Sequence, residues 1–206
     1  METDPGPAVV AGWEVGVVEE LARLLPPGRP AVTVSHGPPA SHRAAVLVPG
    51  TADGWARAAA EVERTWGIPR VVVIAPAPVA RIALAGLAGP DWPLALDRNL
   101  GTATAVSRAF APGLARRPSA SIVLVTWRYA SGPGAAHLAA VAGAIQLFAL
   151  ALAADLGDSG ITVNAVAVAE DDLAAAGPAV HLLSSPDAGY LTAEALTPRS
   201  RPGRRR

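Results

Sequence analysis

The chain has no cysteine and no lysine among its 206 residues. Without thiols it offers no thiolate nucleophile, no disulfide and no zinc–thiolate site, and a reducing cytoplasm is the expected location. Without lysine, Schiff-base chemistry and a lysine-assisted proton relay are excluded. Only four histidines remain as soft metal ligands, so the sequence predicts no metal site.

An excess of charge of either sign is also lacking, because 17 acidic residues balance 17 basic ones. Such a chain produces no broad field for DNA, RNA or an anionic membrane surface, so neither nucleic acid nor a membrane is an expected partner. The N-terminus, METDPGPAVVAGWEVG, has acidic residues where a secretory signal needs basic ones. We therefore expect a cytoplasmic protein.

One long segment, residues 131–154, contains no Asp, Glu or Arg. Its length is sufficient for a membrane span. Its high Ala and Gly content, together with Pro133, His137 and Gln146, instead favours a helix that is buried on most sides in a globular protein.

Short apolar runs alternate with helical stretches along the chain, which predicts an α/β domain with a parallel sheet covered on both faces. The runs are AVVAG at Ala8, AVTVS at Ala31, AVLV at Ala45, VVVIA at Val71, SIVLVT at Ser121 and ITVNAVAV at Ile161. We predict helices over 14–25, 53–66, 96–117, 135–156 and 173–183, and a seventh strand over 190–196. Ligands of such doubly wound domains bind beyond the carboxyl ends of the strands.

Residues 1–197 are expected to form one domain, since 51% of the chain is apolar and can supply a sizeable core. The remaining residues, 198–206, are rich in Pro, Gly and Arg and cannot bury apolar area. We expect this tail to be disordered and solvated, with binding to an acidic protein as the alternative.

Five segments occur in an order that resembles the short-chain dehydrogenase/reductase family from about Ala8 to Leu196. They are VVAGWEVGVVEELARLL, TADGWARAAAEVERTWGIPRVVVIAPAP, DWPLALDRNLGTATAVSRAFAPGL, SIVLVTW and LFALALAADLGDSGITVNAVAVAED. The resemblance implies a Rossmann-like domain with a mostly parallel, seven-stranded sheet. It also implies a nicotinamide cofactor and a catalytic asparagine, serine, tyrosine and lysine. The family's long substrate lid is expected to be shortened here.

The cofactor motif is incomplete. A dinucleotide fingerprint needs glycines so that backbone amides can approach the pyrophosphate. Gly12 and Gly16 are present, but Val18 stands at the third position, and Trp13 and Glu14 occupy the loop. We predict at most weak cofactor contacts from the two glycines and no dinucleotide bound by this chain alone.

The catalytic positions have also changed. By resemblance, Leu138 stands at the tyrosine and Ala142 at the lysine, and neither side chain transfers a proton. Asn99 and Thr126 are remnants of the asparagine and serine positions. His137 and Tyr129 could form a different acid/base pair, although a shift of one position turns His137 by about 100° around its helix.

The predicted helices over 96–117 and 135–156 correspond to the pair that, in the family, packs against the same pair of a second subunit. The second helix mixes small and bulky residues, which lets two helices approach closely. The expected interface residues are Phe110, Leu114, Ile145, Phe148 and Leu152.

We interpret the chain as a family member without catalytic groups, acting as a structural or regulatory subunit of a heteromeric ketoreductase in bacterial biosynthesis. An active homologue, joined through the two long helices, would use NADPH or NADH. A hetero-oligomer is expected, with a homodimer as the alternative. Two other hypotheses stay open. One is an independent oxidoreductase with a site around Asn99, Thr126, Tyr129 and His137, and the other is a homodimeric ligand-binding scaffold.

Overall fold

The computed structural model describes residues 6–25, 30–38, 44–48, 51, 53–128 and 133–199. The strands are β1 (Ala8–Gly12), β2 (Ala31–Ser35), β3 (Ala45–Leu47), β4 (Val71–Ile74), β5 (Ala120–Trp127), β6 (Ile161–Val168) and β7 (Ala195–Leu196). The α-helices are α1 (Val15–Arg23), α2 (Gly54–Trp66), α3 (Asp91–Leu96), α4 (Thr102–Leu114), α5 (Ala136–Leu156) and α6 (Ala176–Leu183). The expected tail falls mostly on residues 200–206, which lie outside the described residues.

The seven strands form one sheet in the order β3-β2-β1-β4-β5-β6-β7. Every neighbouring pair is parallel, so the predicted α/β architecture is confirmed, with a sheet that is wholly rather than mostly parallel. Strand order reverses between β1 and β4. The carboxyl ends of these strands therefore border the crevice where ligands bind in doubly wound folds.

Two hydrophobic cores cover the two faces of the sheet. Helices α2, α4 and α5 pack on one face, and α1 and α6 pack on the other. Successive residues of β4 show the alternation, because Val72 belongs to the first core and Val73 to the second. Since both faces are covered, the strands are continuous apolar runs.

The predicted helix over 96–117 begins earlier and is interrupted. The helical stretch starts with α3 at Asp91, and a π-helical turn at Asp97–Gly101 joins α3 to α4. The predicted strand over 190–196 is reduced to β7. Residues 169–175 are the whole connection between β6 and α6 and include a 3-10 turn at Leu173–Ala175. This short connection agrees with the expected loss of a long lid.

Helix α5 is long and apolar enough to cross a membrane by length and composition alone. Core helices of soluble proteins pass the same test, and one side of α5 contacts β5 and β6 in this domain. The most apolar stretch of the helix is, however, only 39% buried. Much of its apolar surface is therefore open to another molecule.

Candidate functional site

A cleft of about 350 Å³ lies at the carboxyl ends of β4, β5 and β6, next to α1. Its walls include Val17, Glu20, Trp127, Glu170, Asp171 and Leu173. Three of these six residues carry carboxylates. The lining is therefore acidic, although Arg81 pairs with one of the three carboxylates, Glu170.

Gly12 is required by packing. A Cβ atom added at this position would lie 2.8 Å from Cβ of Ala75 and 2.9 Å from Cγ2 of Val18. The glycine thus lets β1 approach the end of β4 and the start of α1. Gly16, in contrast, has no heavy atom within 4 Å of an added Cβ. The weak cofactor role predicted for both glycines stays a prediction.

An aromatic cluster, formed by Trp13, His36 and Trp55, lies beyond the carboxyl ends of β1 and β2. The rings of Trp13 and His36 have centroids 4.3 Å apart, and Trp55, in the first turn of α2, meets His36 edge-on at 5.3 Å. The guanidinium of Arg98 lies 5.5 Å from the centre of the Trp13 ring, a distance suited to a cation–π interaction.

The imidazole of His36 is held towards its neutral form. Burial within the aromatic cluster lowers its pKa below the ordinary value of 6.5, while the nearby charge of Asp97 raises it and only partly offsets burial. A neutral ring is the form that packs well between two indoles, because it carries no charge to desolvate.

Ala77, in the loop after β4, is held through both of its backbone polar groups. Its N–H donates to Oδ1 of Asn99 at 3.0 Å, and its carbonyl accepts from Nε1 of Trp127 at 3.1 Å. Asn99 also donates through Nδ2 to the carbonyl of Ala95 at 3.1 Å. The side chain of Asn99 is therefore engaged at both ends in holding this loop against the π-helical turn.

Thr126, the other predicted remnant, lies in β5 immediately before Trp127. It is buried and pairs in register with Ala167 of β6. The fold thus brings Asn99 and Trp127 together around one loop and places Thr126 beside them in sequence.

Leu138 and Ala142 are buried on the inner side of α5. Aliphatic side chains cannot donate, accept or relay a proton, so these two positions supply no acid/base group.

His137 is 1% exposed, and its Nε2 lies 3.1 Å from the carbonyl oxygen of Ala80. Because a carbonyl only accepts hydrogen bonds, Nε2 is the protonated nitrogen and donates. Tyr129, the other member of the alternative acid/base pair, lies outside the described residues.

A salt bridge joins the two loops on either side of β5. Nη2 of Arg81, after β4, lies 2.6 Å from Oε2 of Glu170, after β6. Both side chains are well exposed, so the pair adds little to stability. Its position fixes one loop to the other across the end of β5, beside the cleft.

Three features distinguish the carboxyl-end edge of the sheet. The glycine at the end of β1 serves packing, the aromatic cluster fills the ends of β1 and β2, and the cleft is lined by carboxylates. The sequence analysis had placed Trp13 in the loop after β1 but had not paired it with Trp55 or Arg98. Those two residues join the cluster only through the strand order, which no local pattern reveals.

Three of the five expected interface residues are buried within this domain. Phe110 and Leu114 are fully buried and Ile145 is 3% exposed, because all three pack in the core formed with α2, α4 and α5. Their side chains are unavailable to a partner. Phe148 and Leu152 are partly buried against the same core.

The exposed side of α5 is formed by other residues. We call it the outer stripe, and its members are Ala140, Gly143, Leu147, Leu150, Ala151 and Ala154. Leu147 is 69% exposed and Leu150 is 51% exposed. The spacing of three and four residues places these side chains on one helical face.

A family model described as enoyl-(acyl carrier protein) reductase matches residues 50–170 of the chain. Among solved structures, the TT0495 protein of Thermus thermophilus superimposes with a TM-score of 0.81 at 19% identity, over 93% of this chain and 96% of that chain. A gluconate 5-dehydrogenase from Burkholderia cenocepacia, in complex with NADP and tartrate, gives a TM-score of 0.81 at 19% identity over 93% of each chain. At these identities the structures show a shared fold.

Proposed function

The chain belongs to the short-chain dehydrogenase/reductase family of oxidoreductases, and we propose that within this family it is a non-catalytic subunit that pairs with an active homologue. The outer stripe of α5 is the observation that carries the proposal. It is an apolar helical face that this domain leaves uncovered, and such faces mark association surfaces.

The stripe has the shape that close helix pairing needs. Space around Gly143 is open, so a partner helix can approach the backbone there, while Leu147 and Leu150 project about one and two turns further along. Next to α5, an open groove runs along the segment from Pro93 to Arg108 and includes Leu96 and Leu100. This groove can receive side chains from the partner's helices.

The cleft supports the second half of the proposal. Leu138 and Ala142 supply no acid/base group, and the contacts around Trp13 do not suit a nucleotide. Hydride transfer from NADPH or NADH to a carbonyl carbon, with a proton going to its oxygen, would then occur in the partner. The substrate class that we propose is the ketone of an acyl or polyketide intermediate in cytoplasmic biosynthetic metabolism.

Co-expression with a reductase whose gene lies near the gene for this chain tests the proposal. We expect the two chains to co-elute in size-exclusion chromatography and the complex to consume NADPH, while this chain alone consumes none. Leu150→Glu should abolish co-elution because it places a charge in the stripe. Leu182→Glu, at a site on α6 that is 47% exposed, is the matched control and should co-elute normally.

Two results would contradict the proposal. NADPH-dependent turnover by the purified chain would show an independent enzyme, and loss of this turnover in His137→Ala would place its site near α5. A complex that forms only between copies of this chain, whatever reductase is supplied, would instead indicate the homodimeric scaffold.

A further inference from the structure

We propose that a pocket at the amino-terminal edge of the sheet binds a small oxyanion of the phosphate class. The pocket has a volume of about 240 Å³ and lies where β5 and β6 begin and α6 ends. This edge is opposite the cleft described above, so the inference does not depend on the proposed pairing. The residues that matter are Arg70, Ser119, Ser121, Thr162, Ser184 and Ser185.

Arg70 supplies the positive charge. Its Nη2 donates to Oγ of Ser119 at 2.7 Å, and within the described part of the chain it forms no ion pair with a carboxylate. Burial, and next the nearby charge of Arg117, lower the pKa of the Arg70 guanidinium below its ordinary value. An anion in the pocket would relieve both effects, because it neutralises the charge that is desolvated and repelled.

Hydroxyl groups in the pocket have protons to donate. Oγ of Ser119 accepts from Arg70, and Oγ of Ser185 accepts from the backbone N–H of Asp187 at 3.2 Å. Each hydroxyl therefore keeps its own O–H for another acceptor. Charge-assisted hydrogen bonds from such donors to an oxyanion are stronger than bonds between neutral groups.

The buried hydroxyl of Ser121 is a second, independent observation. Its side chain is 6% exposed, and its Oγ has no hydrogen-bond partner among the described residues. Buried hydroxyls are nearly always paired, since an unpaired one costs about 1–3 kcal/mol. Rotation about the Cα–Cβ bond moves this hydroxyl between staggered positions, and an anion in the pocket would give it an acceptor.

No carboxylate among the described lining residues opposes an anion. At the end of α6, the carbonyls of Val180 and Leu182 accept from the N–H groups of Ser184 and Ser185. The small volume favours a single phosphate group over a whole nucleotide.

Isothermal titration of the full chain with inorganic phosphate, at constant ionic strength, tests the site. We expect binding in the wild type and at least about tenfold weaker binding in Arg70→Gln and in Ser121→Ala. Arg57→Gln is the control for the loss of one positive charge, since Arg57 is exposed and pairs with Asp53. It should bind phosphate like the wild type.

Thermal unfolding without phosphate distinguishes a binding role from a structural one. Ser121→Ala should unfold at the wild-type temperature or slightly above it, because it removes an unpaired buried hydroxyl. Titration with O-phosphoserine as a second probe identifies the source of the anion. Binding at least as tight as that of inorganic phosphate would indicate a phosphoryl group on a larger molecule, and weaker binding would indicate the free ion. Equal phosphate binding in the wild type, Arg70→Gln and Ser121→Ala would overturn the proposal.

Discussion

At the scale of single residues, the ends of β1 and β2 are filled by the protein's own side chains. Trp13 and Trp55 both contact His36, and Gly12 lies close to Ala75 and Val18. The consequences can be measured at Gly12 and at His36.

Gly12→Ala and Gly16→Ala should have opposite effects on stability. The added methyl at Gly12 meets atoms at 2.8 and 2.9 Å, and such overpacking lowers the free energy of unfolding by about 1–3 kcal/mol. At Gly16 the methyl enters open space within α1, which raises stability by about 0.4–1 kcal/mol. Urea unfolding of both variants checks the pair. A destabilised Gly16→Ala would mean that this glycine is required by contacts other than those described.

His36→Phe should remove part of the pH dependence of stability. Because burial lowers the pKa of His36 in the folded chain, the unfolded chain binds the proton more readily, and the free energy of unfolding falls as the pH drops through about 6.5. The variant keeps a ring in the aromatic cluster but has no proton to bind. Urea unfolding between about pH 7.5 and 5.5 should show a shallower decline for the variant.

The difference in pH dependence between the wild type and His36→Phe should persist at about 0.5 M NaCl. Desolvation, the main cause of the lowered pKa of His36, is screened less than the charge of Asp97. Identical declines in both proteins would show that His36 titrates normally in the folded state.

The chemistry of individual positions was readable from the sequence only in part. The sequence alone shows that the side chains of Leu138 and Ala142 have no ionisable group. The sequence does not reveal the hydrogen-bond partners of Asn99 and Trp127. Both side chains bond to the backbone of Ala77, which is 22 and 50 residues away along the chain. Contacts between distant backbone and side-chain atoms depend on the strand order, not on a local pattern.

At the scale of elements, α5 shows why a sequence does not always reveal which side of a helix faces outward. Amphipathic helices reveal their core side through the period of apolar residues. The residues of α5 are apolar on almost every side of the helix, so its sequence shows no contrast between an apolar and a polar face. It therefore does not indicate that Ile145 faces inward while Leu147 faces outward. The strands, in contrast, were predicted well because continuous Val and Ile runs leave few alternatives.

Substitutions on the two sides of α5 should separate folding from assembly. Ile145→Ala should lower the free energy of unfolding by about 2–5 kcal/mol, because it leaves a cavity in the core. Leu150→Ala should change the stability of the isolated chain by less than about 0.5 kcal/mol but weaken self-association or association with a partner. Urea unfolding at low protein concentration and analytical ultracentrifugation measure the two effects. Unchanged association in Leu150→Ala would remove the outer stripe as an interface.

At the scale of the whole molecule, the two hydrophobic cores lie on opposite faces of one parallel sheet. Helices α2, α4 and α5 pack on one face, and helices α1 and α6 pack on the other. The same central strands contribute side chains to both cores. Losing either core exposes one face of every central strand, so neither half is expected to persist without the other. The expected single domain over residues 1–197 stays a prediction, which unfolding experiments can test.

Val72→Ala and Val73→Ala are adjacent changes that damage opposite cores, since both side chains are fully buried on different faces of β4. Each substitution removes two buried carbon atoms and leaves a small cavity, which lowers the free energy of unfolding by about 1–3 kcal/mol. If the chain unfolds as one unit, far-UV circular dichroism and tryptophan fluorescence should report the same midpoint in each variant, because Trp66 packs on one core and Trp127 belongs to the other. Two separate transitions, with only one of them shifted by each variant, would show that the cores unfold independently.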